Sequence, residues 1–538
     1  MPRREDDDVS NAEGPSNDAQ TWSRLGPLTR RRLVVRAMQL GLGALAAPAL
    51  AEALAACTPA SGGKKLTWSR GDDLRTQDPQ QISGLMEGII TRVLYDPLID
   101  TDAEGKQVNV LATDWSMAPD GMSYTFKLRT GVKFHDDSEF DANAVKFTYE
   151  RLLANPTFQH TSPFKGFLRG VSVVDKTTVR FDMERPNPGL ITSLNEPILS
   201  PAAEKKYGPE FYKQIGGSGP FKYKSWTPNQ QWLGDANKDY WAKDMVKLDQ
   251  YVFRPIPEEA TRIAALQSAE VDLIDGLSGD QAEELGKDAN LQLVRSPGSS
   301  VIAITYNVRT PPFNNRDARF AVAHAIDRDN IVKNIQKLGK NVGSTVPPGT
   351  IGYDEKLFNN PVPFDMGKAK ELLGKAGVQP GTKLSFKLNP AWFPRLKETA
   401  EYISNQLRTV GFDVNVQFLE PGAYTDARKS GDFNLCIQEV GRAFNPGPNF
   451  QTLLVDSTFG NFYKEINPKI EGMILQANGE LDEAKRATGY AAIQQALYDD
   501  LPELVLYQRE LIWGVRKRVK GFEGRVGGDT RTYACDVT

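Results

Sequence analysis

The sequence predicts an α/β fold, with helices covering a mixed or parallel sheet, and three observations predict it. In RLKETAEYISNQLRTVGFDVNVQFL, Ala400, Ile403, Leu407 and Val410 recur at helical spacing and form one apolar stripe. Gly411 follows as a helix stop, and Phe412, Val414, Val416 and Phe418 then alternate at the period of a strand. In PEEATRIAALQSAEVDLIDGL the order recurs: Ile263 and Leu266 share a helix face, and Val271 and Leu273 suit a short strand. A helix that passes so quickly into a strand is the signature of a sheet with helices packed on it. Composition is the third observation. A chain of 538 residues, 40% hydrophobic and 25% charged, is long enough for several globular, soluble domains.

The remaining elements follow in chain order. The first 28 residues are rich in Asp, Asn, Ser, Gly and Pro and read as a disordered polar leader. TRRRLVVRAMQLGLGALAAPALAEALAAC, Thr29 to Cys57, has a basic block, an apolar stretch and a small-residue processing site, the order of an export signal. Its paired arginines resemble the twin-arginine signal. LAAC, Leu54 to Cys57, resembles a bacterial lipobox, in which the Cys57 thiol carries lipid and begins the mature chain. The expected organisation is therefore a signal over 1–56 and a lipid-anchor tether over 57–64, TPASGGKK forming most of the latter. SYTFKL places Tyr124, Phe126 and Leu128 on one side of a strand. DANAVKFTYERLLA opens with Asp141 as N-cap and carries Val145, Tyr149 and Leu152 at helical spacing. VSVVDKTTVRFDM, 171–183, reads as a hairpin. The glycines of GGSGPF, 216–221, suit a tight chain path where two domains meet.

Several chemistries are disfavoured. Net charge is -3 with no long basic run after the leader, which argues against nucleic acid as partner. No second apolar stretch is long enough to cross a bilayer. There is neither GxSxG nor GxxxxGK[ST]. The three histidines, His135, His160 and His324, make no metal-ligand cluster in sequence, and no metal or other cofactor is expected. His135 beside Asp136 and Asp137 is read as an exposed turn, and His324 as a helix-face residue without a chemical role. Besides Cys57 there are Cys436 and Cys535, which either pair or remain as buried thiols; sequence does not place them within bonding distance.

Four segments match one pattern in order: DGMSYTFKLRTGVKFHDDSEFDANAVKFTYERL, GGSGPFKYKSW, PPFNNRDARFAVAHAIDRDNIV and LPELVLYQRELIWGVRKRVKGF. Together they resemble the extracellular solute-binding proteins of the peptide/nickel ABC importer family, family 5. FHDD departs slightly from the family's usual FHDG. The resemblance implies a two-lobed periplasmic-binding-protein-like fold with an additional small domain inserted in lobe one. Lobe one would comprise 65–107, 216–305 and 501–538, the inserted domain 108–215, and lobe two 306–500. The chain would cross between lobes near IAITYNV and LVLYQRE. The implied function is a monomeric, lipid-anchored receptor outside the cytoplasmic membrane. It would deliver an unaltered solute to permease subunits served by separate ATPase subunits. A secreted hydrolase such as a glycosidase, and a scaffold without a small ligand, are the competing readings.

The resemblance also bears on the solute. Dipeptide-binding relatives hold the ligand's ammonium with an aspartate four residues before a loop proline; here that proline is Pro446 and the position is Arg442, the wrong charge. Glu439 would substitute only after a loop shift. The carboxylate-holding arginine precedes an aromatic by two residues; with Trp392 as the aromatic, that position is Pro390, which has no donor. Trp392, Phe393 and Phe444 would offer an apolar or stacking surface, or else pack the lobe. Asn445 beside Phe444, Arg442, and Tyr507 at the second crossing complete the candidate ligand-binding set. An oligopeptide or modified peptide ranks first as solute, an oligosaccharide second and a metal chelate third.

Overall fold

The computed structural model describes residues 63–538 apart from 83–84, 103–105, 157, 162–163, 215–216, 391–393, 442–445, 456–461, 527 and 529–530. Cys57 and the leader lie outside the described residues, as do Trp392, Phe393, Arg442, Phe444 and Asn445.

Two long antiparallel strands organise the molecule. Leu291–Tyr306 pairs with Glu503–Arg516 along most of its length, and the ladder is broken by a register shift between Pro297 and Val301. Partners change along this pair. Toward one end, Gly514 and Val515 pair with Leu273–Ile274, beyond which lie Lys65–Arg70, Gln250–Pro255, Gln231–Ala236 and Phe221–Thr227. Toward the other end, Ser300–Tyr306 pairs with Leu435–Gly441, beyond which lie Thr382–Leu388 and Phe412–Phe418. Each group has its own apolar core. Trp68, Phe253 and Trp232 belong to one; Phe386, Ile403 and Ile437 belong to the other. The register shift between Pro297 and Val301 falls where the two sets of partners meet.

The local expectations translate directly. Leu396–Thr409 is a helix with Ala400, Ile403 and Leu407 buried; Gly411 has φ +113°, and Phe412–Phe418 follows, parallel to Thr382–Leu388. Phe418, at the end of that alternation, is exposed, since the strand lies at the margin of its sheet. Ser123–Leu128 buries Tyr124, Phe126 and Leu128 in a four-stranded antiparallel sheet with Ala112–Met117, Leu168–Asp175 and Thr178–Met183. Ala142–Ala154 packs Val145, Tyr149 and Leu152 onto it, and its Asp141 N-cap accepts a hydrogen bond from the Asn143 amide.

The glycine-rich turn is tight for a steric reason. A Cβ on Gly219 would lie 2.5 Å from the Leu94 carbonyl carbon. That turn also corrects the reading of His135, which is buried rather than exposed. The Gly219 carbonyl accepts from His135 Nε2 at 3.0 Å, so Nε2 carries the proton and Nδ1 is left buried without a partner. Asp136 accepts from the Ser138 and Ser200 hydroxyls. Burial pulls the His135 pKa down to about 4. Between that value and the ordinary 6.5 the unfolded chain binds the proton and the folded chain does not, so stability rises with pH across this window. The contribution, about 3 kcal/mol, is present above pH 6.5 and lost as pH falls toward 4. Melting temperatures of the protein and of His135→Asn, followed over that range, should show a steeper acid loss for the unaltered chain.

His324 sits on the helix Arg316–Ala325, its Nδ1 bonded to the Pro363 carbonyl at 2.8 Å. Cys436 and Cys535 are free, buried thiols in the two different cores. Among the described residues no helix is long and apolar enough to cross a membrane.

Candidate ligand-binding cleft

A cleft of about 890 Å³ opens where the long strand pair changes partners. Gly298, Ser299 and Ser300 of one strand and Tyr507, Arg509 and Glu510 of the other form its floor. Arg70 and Asp275–Ser278 line one side; Gln336, Arg395, Arg428, Gln438 and Glu439 line the other. The small residues 298–300 leave room above the strands, while the period of two sends Tyr507 and Arg509 to one face.

Of the six residues in the candidate ligand-binding set, Tyr507 is the one that is described, and it lines the cleft. It is buried, and burial pushes its phenol above the ordinary value, so the hydroxyl is neutral at physiological pH and able to donate or accept. A Cβ on Gly339 would lie 3.3 Å from the Tyr507 ring, and Lys340 exchanges two backbone hydrogen bonds with Gln508, at 3.1 and 2.8 Å. The loop 337–340 thus packs against the crossing strand beside Tyr507, and its Leu338 is part of the cleft lining. Glu439 also lines the cleft, where it accepts from Arg509 at 2.9 Å and from the Ser300 hydroxyl.

Among the described residues the lining holds four arginines, Arg70, Arg395, Arg428 and Arg509, against three carboxylates, Asp275, Glu439 and Glu510. Arg70 donates to the buried Asp275 at 2.8 Å and also meets Asp72. Desolvation pulls the Arg70 pKa down, but Asp275 and Asp72 outweigh it and leave it raised. Arg428 donates to Gln438 Oε1 at 2.6 Å, and Gln438 in turn donates to Glu503 at 3.2 Å. Glu510 receives Arg295 at 2.9 Å. Arg395 meets Asp280, which lies just outside the cleft. Among the described residues no group of His, Cys, Asp and Glu is arranged to hold a metal ion.

Sequence reasoning missed Arg70, Asp275, Arg395 and Arg509. Arg509 was within reach, two residues after Tyr507 on a strand, hence on the same face. The others come from segments far apart in the chain, and no local pattern marks them.

Two α/β halves joined by a strand pair, with a cleft of polar and charged groups over the joint, make the architecture of a two-lobed binding protein. The chain belongs to the bacterial extracellular solute-binding proteins, family 5, whose model matches residues 106–462. It is 29% identical to the glutathione-binding protein GsiB of Escherichia coli over 489 residues, covering 87% of this chain and 93% of the relative. It is similar to the solved periplasmic binding protein DppA from Helicobacter pylori in complex with peptide STSA. The identity is 26% and the TM-score 0.74, with coverage of 88% of this chain and 98% of that one. CtaP, an ABC transporter substrate-binding protein from Listeria monocytogenes, shares the fold at TM-score 0.80 and 21% identity, covering 88% of this chain and 99% of its own. These likenesses establish the two-lobed periplasmic-binding-protein fold expected from the sequence.

Proposed function

We propose that this protein is the receptor of an ABC importer, capturing a peptide-class solute outside the cytoplasmic membrane and handing it unaltered to permease subunits. The observation that carries this reading is the polar cleft over the strand pair, where Tyr507, Arg509 and Ser300 face residues from both sides. Closure of the two halves would take solute and polar groups out of water together and strengthen their hydrogen bonds. GsiB and DppA, named for glutathione and found with a peptide respectively, support the peptide class. Trp392, Phe393, Arg442, Phe444 and Asn445 are the loop residues that would join Tyr507 around the solute. The inserted small domain is assigned to 108–215, within which the four-stranded sheet falls. The function is binding without turnover, and the receptor is monomeric.

Lipid on Cys57, after twin-arginine export, would hold the receptor beside its permease; the TRRRLVV block followed by LAAC supports this. Cys57→Ser should release the protein from membranes or block its processing. An unlipidated N-terminus beginning at Met1 in the native host would end the anchoring proposal.

Solute released by denaturing the purified protein and identified by mass spectrometry tests the receptor reading. A peptide recovered intact is expected. Added back at about 100 times its Kd, it should stabilise the fold by about 2.7 kcal/mol. Recovery of a glycan would reassign the solute, and sustained chemical turnover would overturn the receptor itself.

A further inference from the structure

A peptide-class solute with a free C-terminus carries a carboxylate, which a cleft must pair with a cation or leave in water. Among the described residues four arginines line the cleft, and they differ in what their release would leave behind. Arg70 neutralises Asp275, whose carboxylate is buried with one oxygen already lacking a partner; withdrawing Arg70 strands a buried charge. Arg428 is built into the Gln438–Glu503 network. Arg509 serves Glu439, whose other described contact is the neutral Ser300 hydroxyl.

Arg395 differs from all three. It immediately precedes the helix Leu396–Thr409, with a left-handed backbone of φ +55°. Its carbonyl is held by the Thr399 hydroxyl at 2.9 Å, and Nη1 donates to the Ile335 carbonyl at 3.1 Å. Nη2 meets Asp280, a residue of the short helix Gly279–Leu285 on the opposite side of the cleft. Asp280 has a second cation, Lys337, and does not itself line the cleft. If Arg395 turned to another carboxylate, Asp280 would remain paired with Lys337 and no buried charge would be stranded. Arg395 is also about one-third exposed, and its planar fork of donors suits a bidentate acid.

We propose that Arg395 is the carboxylate anchor of this cleft and that Asp280 is its internal surrogate, yielding Arg395 to the solute's carboxylate and retaining Lys337. The exchange makes the solute's acid group part of the contact between the two sides of the cleft, so it is read at the moment of closure. This inference rests on the peptide-class reading.

The test uses pools of random tri- and tetrapeptides, prepared as free acids and as C-terminal amides, with binding measured by calorimetry. The intact protein should prefer the acid pool by about 10- to 100-fold, the loss that follows removal of a charge-assisted hydrogen bond. Arg395→Gln should reduce that ratio to near one, and Arg395→Lys should restore part of it. Asp280→Asn, which removes the competitor, should raise the ratio above that of the intact protein. A purely structural role for the pair would instead weaken acid and amide equally in both variants and leave the ratio unchanged, which overturns the proposal. Equal binding of the two pools by the intact protein overturns the anchor alone and leaves the peptide reading standing. Binding of neither pool overturns that reading and the anchor with it.

Discussion

Arg151→Met is expected to destabilise the fold by about 3–5 kcal/mol, the cost of breaking a buried ion pair from one side. Arg151 stands on the helix Ala142–Ala154 and reaches Asp78, whose side chain has no exposure at all. The contact is bidentate, Nη1 to Oδ1 at 3.1 Å and Nη2 to Oδ2 at 2.6 Å, and Nη1 also donates to Gln80 Oε1 at 2.6 Å. The guanidinium lies 5.1 Å from the centre of the Phe158 ring. Methionine keeps much of the apolar stem but removes every donor, leaving Asp78 with the Gln80 amide and the Gln81 side chain. Asp78→Asn combined with Arg151→Met should cost clearly less than the sum of the two single changes, because the stranded charge is then gone. Urea unfolding of the three variants reads this directly. A loss below about 1 kcal/mol for Arg151→Met, the value of an exposed pair, would show that Asp78 is not committed to it.

Gly339→Val should lower both stability and solute affinity. Gly339 has φ +88°, a conformation that costs a residue with a Cβ about 1–2 kcal/mol. Its Cβ would fall 2.3 Å from the Gln508 carbonyl oxygen, a backbone atom with little room to move. Relief requires the loop to leave the crossing strand, with loss of the two Lys340–Gln508 hydrogen bonds, each contributing about 1 kcal/mol. The combined cost is about 3–4 kcal/mol. Tyr507 loses its backing in the same movement, so affinity for the recovered solute should fall at least about tenfold, or 1.4 kcal/mol. Gly472→Ala is the control: Gly472 is exposed within the helix Lys469–Gly479, and no atom stands within 4 Å of its added Cβ. It should be neutral or stabilising by up to about 1 kcal/mol. Equal behaviour of the two variants in thermal unfolding and titration would show that Gly339 does not hold Tyr507 in place.

Both sites show where sequence stops. The helix over Ala400–Leu407 and the strand over Tyr124–Leu128 were legible because each is written in a local period: 3.6 residues for a stripe, two for an alternating face. The Asp141 cap was legible because it acts two residues away, on Asn143. The family was legible because such elements recur in a fixed order along the chain. Tyr507, which lines the cleft, was singled out through that order, and Arg509, which lines it too, was not, although the strand period pointed to it.

The sequence by itself determined the α/β class, the main helices and strands, and membership of a solute-binding family. Tertiary structure alone decided which charges meet. Asp78 and Arg151 are 73 residues apart, and Asp280 and Arg395 are 115 apart. His135 reads as exposed beside two aspartates, yet it is buried, with the Gly219 carbonyl, 84 residues on, accepting from its Nε2. Helices and strands arise from hydrogen bonds and apolar spacing among near neighbours, so their cause lies within a short window of sequence. A cleft arises where two cores, each built from separated segments, are joined by a pair of strands, and its charges are set by whichever residues that joining brings within a few ångströms.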